Sequence, residues 1–180
     1  MVYLDNASTT KLSDDVINVM VKSYDNYFNP SSLYINAIKV NKMLQEARRQ
    51  IINFLGGDVF DNLVFTGCAT ESNNFAIRGA LKKGGKLLVS NLEHSSVYNL
   101  AKQLQNEGYS VDFINTNSNG VVDVTDFKNK LENCTIVSVI HVCNETGAVN
   151  DIKNLAEIAK GYNKNIILRW KRPDSAGRCR

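Results

Sequence analysis

Proline and tryptophan are nearly missing from this 180-residue sequence, which has two of the first and one of the second, and histidine occurs only twice. No Pro-, Gly- or Ser-rich stretch interrupts it, which excludes a low-complexity linker and a collagen-like chain. No apolar run approaches the ~18 residues needed to cross a bilayer, so no membrane partner is expected. The opening Met-Val-Tyr-Leu-Asp lacks the basic region and apolar stretch of a secretory leader. The four cysteines, Cys68, Cys134, Cys143 and Cys179, form no CxxC pair and are sparse for a secreted domain. A reducing cytoplasm is therefore the expected setting. Together with His94 and His141 they lack the ligand spacing of a zinc site, and no metal is expected.

The remaining composition is that of one globular domain, 43% hydrophobic and 22% charged, long enough to bury a core. The net charge of +3 is unevenly placed. Residues 169–180 carry Arg169, Lys171, Arg172, Arg178 and Arg180 against Asp174, and without them the chain holds 16 basic and 17 acidic residues. A neutral body gives no footprint for nucleic acid.

Amphipathic segments precede an alternation of short apolar runs and helical ones. Asp14–Tyr24 reads as a helix capped by Ser13, with Val16, Val19 and Met20 on one face. Asn29-Pro30-Ser31-Ser32 is a turn. A long helix follows, carrying Val40, Met43, Leu44, Ala47, Ile51 and Leu55 and stopped by Gly56-Gly57. Strands are expected at 62–65, 86–90, 110–114, 135–142 and 165–168, and helices at 70–81, 95–107, 125–131 and 151–160. This order predicts an α/β fold, a mostly parallel sheet sandwiched by helices. In such sheets ligands bind in the loops beyond the carboxyl ends of the strands.

Three of those loops carry candidate chemistry. In Thr66-Gly67-Cys68-Ala69-Thr70-Glu71-Ser72-Asn73, small residues lead into a helix whose free N–H groups and dipole suit a phosphate. The same residues also read as a capping box, Thr70 with Asn73 satisfying the helix start. In Asn91-Leu92-Glu93-His94-Ser95-Ser96, His94 is placed to stack on a ligand ring or shuttle a proton, or is simply a loop histidine beside a capping serine. In Cys143-Asn144-Glu145-Thr146-Gly147, Asn144 can donate to a ligand oxygen, while His141 reads as a core histidine still inside its strand.

Read in order, Tyr3 to Thr10, Asn29 to Leu33, Phe65-Thr66 through Ala69-Thr70-Glu71-Ser72-Asn73-Asn74, Glu93-His94 and Asn144-Glu145-Thr146-Gly147 resemble the N-terminal half of the cysteine desulfurases. These are pyridoxal-phosphate enzymes of the class V aminotransferase branch, built on the fold type I architecture. The resemblance covers residues 2–168 and implies part of the large domain of that fold. It implies that Ala69 and Thr70 hold the phosphate of pyridoxal 5'-phosphate. His94 would stack on the pyridine ring and assist proton transfer, and Asn144 would contact the phenolic oxygen or the substrate. Asn6 and Ala7 would line the substrate end, with Asn29 to Ser32 shaping the site near a dimer interface. Gly67-Cys68 departs from the family's usual Ser-Gly.

The resemblance fails after residue 168. The family continues with His-Val-Asp-x-x-Gln-Ser, whose Asp pairs with the protonated pyridine nitrogen and whose Gln supports the phenolic oxygen. Here Lys171 falls at the aspartate position and Asp174 at the glutamine position. A lysine there would set cation against cation, and Pro173 among basic residues suits a buried strand end poorly. The Schiff-base lysine, the persulfide-carrying cysteine and the small domain have no counterpart in these residues. The chain thus divides into 1–168, a partial cofactor-binding large domain, and 169–180, an aberrant basic tail that reads as a shifted frame or a truncated gene. The parent reaction implied is L-cysteine to L-alanine, with sulfur passed to an enzyme persulfide for iron–sulfur cluster or thio-cofactor synthesis. It also implies a homodimer and a sulfur-acceptor protein. The truncated chain itself is expected to be inactive and to expose apolar surface. The alternatives are a piece of a selenocysteine lyase or another class V aminotransferase, or a non-enzymatic relic or dimerising fragment.

Overall fold

The computed structural model describes residues 2–6 and 8–162 in full, and the backbone of 167–169. Apart from the backbone of Arg169, the basic segment 169–180, with Lys171, Asp174 and Cys179, lies outside the described residues, as does Ala7. The chain divides into two compact units, residues 1–65 and residues 66–180.

The larger unit is built on strands β1 (Lys86–Ser90), β2 (Ser110–Ile114), β3 (Cys134–Ser138) and β4 (Ile167–Arg169), all parallel, in the order β2-β1-β3-β4. Helices α4 (Ser95–Asn106), α5 (Val124–Lys130) and α6 (Ile152–Tyr162) make the three crossovers, and α3 (Ala69–Ala80) leads into β1. Covering both faces explains why the strands read as nearly unbroken apolar runs. Leu87, Val89 and Ile136 pack with Ile77, Val97, Leu100 and Leu104 of α3 and α4. Leu88, Ile114 and Val137 pack with Phe127, Leu131, Leu155 and Ala159 of α5 and α6 or beside them.

Two polar ties fasten the helices. Arg78 meets Glu107 in a two-pronged pair, Nη1 to Oε2 at 2.8 Å and Nη2 to Oε1 at 3.0 Å, joining the end of α3 to the end of α4. The bond from Arg78 holds the Glu107 carboxyl below its ordinary range. On the other face, Asp126 Oδ2 accepts from Asn115 N at 2.7 Å and from Lys130 Nζ at 2.9 Å. Burial pushes the Asp126 carboxyl up, but those two bonds outweigh it and the net direction is down.

The expected strand 135–142 ends early, at Ser138. Past it the chain folds back on itself. Val142 bridges Val149 antiparallel, Cys143 N donates to Ala148 O at 2.9 Å, and Asn150 N donates to His141 O at 2.8 Å. His141 therefore sits in this hairpin and not in β3.

Residues 1–65 hold α1 (Asp14–Ser23), a 3₁₀ turn (Tyr24–Asn26) and α2 (Ile35–Phe54). Ser13 caps α1 as expected, its Oγ accepting from Val16 N at 3.4 Å. Asn29 Oδ1 accepts from Ser31 N at 2.9 Å, and Asn41 Nδ2 ties the turn to α2 through Pro30 O at 3.0 Å. Gly56, at φ +76°, ends α2 in a Schellman motif, with Gly57 N on Ile52 O at 2.9 Å and Gly56 N on Asn53 O at 3.0 Å. The apolar faces of these helices are largely bare. α1 buries no residue and α2 buries only Ala37. The strand expected at 62–65 does not form. A strand needs a neighbour for its ladder, and none of the pairings among the described residues includes this segment.

Candidate functional site

The first candidate feature is the start of α3. Its N-cap, Cys68, has an extended backbone and makes no side-chain cap. Gly67 N donates to Glu71 Oε2 at 2.7 Å, and Thr66 Oγ1 donates to Cys68 O at 3.1 Å, so the loop is bound to itself. The capping-box alternative fails here, because Asn73 turns away from the helix start. Its Nδ2 donates to Ser96 Oγ at 2.7 Å, 23 residues further on. Ala69 and Thr70 stay exposed with no side-chain cap over their N–H groups. A first turn in that condition leaves donors open at the positive end of the helix dipole, the requirement for an anion, with the Glu71 carboxylate bonded back to Gly67 N.

The second feature is the start of α4, which β1 delivers to the same edge of the sheet. His94 is itself the N-cap, correcting the expectation of a capping serine beside it. Its Nδ1 accepts from Ser96 N at 3.2 Å and lies 2.9 Å from Ser96 Oγ. Ser96 thus joins His94 to Asn73, and through Asn73 to α3. A cavity of about 300 Å³ opens between the two helix starts, lined by Thr70, Asn74, Ser95, Ser96, Asn99 and Gln103 with Leu100. No lysine lines it.

The third feature is where the loops after β1, β2 and β3 converge. Gly120, buried at φ +78° in the loop after β2, is the meeting point. A Cβ added to it would lie 3.1 Å from Ala148 Cβ, 3.2 Å from Leu92 Cδ1 and 3.2 Å from Thr146 Oγ1. It packs the Asn144 loop and the His94 loop together, and a side chain there would be strained by the positive φ and would crowd three neighbours. Asn150, buried, fixes the same region, accepting from Val122 N at 2.9 Å and donating to Ile140 O at 2.8 Å. Cys143 is buried in the hairpin. Burial pushes its thiol up, but bonds from Thr146 and Glu145 outweigh this and lower it overall.

The residues singled out from sequence fall into three places. Ala69, Thr70 and His94 come together through α3 and α4. Asn144 is exposed on the hairpin that Gly120 packs beside the His94 loop. Asn6 belongs to residues 1–65, where its Nδ2 donates to Tyr3 O at 3.4 Å. Asn73, Ser96 and Gly120 were not singled out as site residues. The signal for the first two was within reach, since Asn and Ser side chains near helix starts seek partners, but the partners are distant in sequence.

The sequence profile of aminotransferase class V matches residues 2–168. The chain belongs to the class V aminotransferase family. A cysteine desulfurase IscS 1 of Archaeoglobus fulgidus is 41% identical over 170 residues, covering 89% of this chain and 44% of the relative. A cysteine desulfurase of Nostoc is 34% identical over 165 residues, covering 89% and 41%. Among solved structures, a NifS-like protein superposes with a TM-score of 0.86 at 27% identity, over 94% of this chain and 48% of that one. This class V aminotransferase chain therefore spans less than half the length of the curated relatives it matches. Among its described residues no helix is long and apolar enough to cross a membrane.

Proposed function

We propose that this chain is the phosphate- and ring-holding half of a cysteine desulfurase that uses pyridoxal 5'-phosphate. The observation that carries the reading is the uncapped start of α3, where Thr70 lines a cavity with Ser95 and Ser96 of α4, next to the His94 cap. The residues present fit the cofactor's phosphate. The N–H groups of Ala69 and Thr70, with the Thr70 hydroxyl, bind it at the positive end of the α3 dipole. The Glu71 carboxylate, which would repel an anion, is engaged by Gly67 N.

When bound, the cofactor supplies an electron sink for the substrate. His94 faces its ring and holds a proton. Asn144 donates to the phenolic oxygen or to the substrate, and Asn6 and Ala7 border the substrate end. L-cysteine is the substrate this reading favours. The curated relatives are named cysteine desulfurases, and a protein with a similar structure, SspA at 28% identity and a TM-score of 0.78, was solved in complex with cysteine. The full reaction, L-cysteine to L-alanine with sulfur passed to a protein persulfide, further requires a lysine, a cysteine and a second copy as partner, with a sulfur acceptor downstream. The cytoplasm, where thiols stay reduced, is the compartment that suits it.

Pyridoxamine 5'-phosphate tests the cradle, since it binds without a lysine. Equilibrium titration of the full chain should show it binding about 10- to 100-fold more tightly than pyridoxamine, because charge-assisted bonds to the phosphate contribute roughly 1.5–3 kcal/mol. Inorganic phosphate should compete. Equal affinity for the two amines would overturn the proposal.

A further inference from the structure

Among the described residues the imidazole of His94 is held through Nδ1, and the partners of that nitrogen decide its chemistry. A backbone N–H can only donate, so the contact from Ser96 N to His94 Nδ1 at 3.2 Å requires a lone pair on Nδ1. The neutral ring then carries its proton on Nε2. The Ser96 hydroxyl is set to act in the same sense. Asn73 Nδ2 donates to Ser96 Oγ at 2.7 Å, which occupies the oxygen as an acceptor and leaves its O–H to point at His94 Nδ1, 2.9 Å away. Asn73 is 4% exposed, so its amide is anchored inside the α3–α4 contact rather than in solvent.

We infer that Ser96 and Asn73 are positioning residues that lock His94 as its Nε2–H tautomer, presenting a hydrogen-bond donor to whatever occupies the site. The inference rests on the reading of His94 as a cofactor-facing residue, and it adds which end of the ring is used and in which direction. As held, His94 donates at Nε2. It takes up a proton only at Nδ1, and only by losing the bond from Ser96 N and reversing the contact with the Ser96 hydroxyl. The bond that caps α4 thus favours this tautomer, and the Ser96 hydroxyl, held by Asn73, completes the lock.

Two histidines make the test direct. With ¹⁵N-labelled full chain at about pH 9, above the usual imidazole pKa of about 6.5, the long-range ¹H–¹⁵N spectrum of the ring nitrogens reads the tautomer, and His141→Asn assigns the signals. Nδ1 of His94 should appear as a bare, acceptor-type nitrogen and Nε2 as the protonated one. Ser96→Ala should shift the pattern toward a tautomer mixture, Ser96→Thr should restore it, and Asn73→Ala should move it part of the way. A wild-type ring protonated on Nδ1, or evenly mixed, would overturn the inference without any variant. So would an unchanged pattern in Ser96→Ala, because the backbone N–H would then set the tautomer without the hydroxyl or Asn73. The spectrum needs no cofactor, so the two proposals fail separately. A locked Nε2–H ring with no preference for the phosphorylated amine sinks the cofactor reading, and a mixed ring with that preference intact sinks only this one.

Discussion

Helices α1 and α4 are written in the same code, with apolar residues at three- and four-residue steps and polar ones between, yet one stripe is buried and the other is bare. In α4, Val97, Leu100, Ala101 and Leu104 are all buried against the sheet. In α1, Val16 is 45% exposed, Met20 50% and Val19 67%. An amphipathic stripe is a local property of sequence. Its burial is a property of the surface opposite, and burial rather than the stripe is what stabilises a helix. Residues 66–180 supply that surface through a sheet covered on both faces, and residues 1–65 contain no sheet among those described.

The sharpest way to break this contrast is to truncate one phenylalanine in each unit. Phe127 is fully buried and Phe54 is 79% exposed. Phe127→Ala should lower the unfolding free energy by about 3–5 kcal/mol in urea, and Phe54→Ala by less than about 0.5 kcal/mol. Similar losses at the two sites would mean that α2 is supported in solution by something α1 and α2 do not show. Next in size is Gly120→Ala, which adds a methyl group against three walls at a positive φ. It should destabilise by about 1–3 kcal/mol in the same assay.

The caps sharpen the comparison further. Asp123 Oδ1 accepts from Thr125 N at 2.8 Å and Asp126 N at 3.2 Å at the start of α5, while Ser13 holds α1 through one contact of 3.4 Å. Asp123→Ala should cost about 0.5–2 kcal/mol. Ser13→Ala should leave urea unfolding nearly unmoved and show only as lost helicity by circular dichroism. The smallest effect is on pH. The Asp126 carboxyl sits below its ordinary value in the folded chain, so it contributes stability above that value and loses it as the pH falls through the depressed one. Asp126→Asn should flatten the acid side of the stability profile; an unchanged slope would show that the Asn115 and Lys130 bonds do not matter.

Strands β1 and β2 were legible to the residue, because short apolar runs bounded by turn residues leave little freedom in where a strand starts. The end of β3 was not. Val139, Ile140 and Val142 continue the strand pattern, and nothing in them announces that Ala148 and Asn150 return to pair with Cys143 and His141. The expected strand at 62–65 had a short apolar run, Leu63-Val64-Phe65, but a ladder is made with a neighbour that local sequence does not name. The site divides in the same manner. Thr70 and His94 could be picked out from the loops that hold them. The capping box was misread because Asn73 chose a partner on another helix, and Gly120 reads in sequence as an ordinary turn residue although three loops crowd it.

The two ties between α3 and α4 lie at opposite ends of the pair, Asn73 with Ser96 where the helices begin and Arg78 with Glu107 where they finish. A pair of rods pinned at both ends can neither slide nor splay without breaking a pin. The helix starts are therefore built as a set jaw rather than a closing one: on the proposed reading, an arriving anion meets donors already spaced for it, and adjustment on binding falls to the loops that Gly120 packs together.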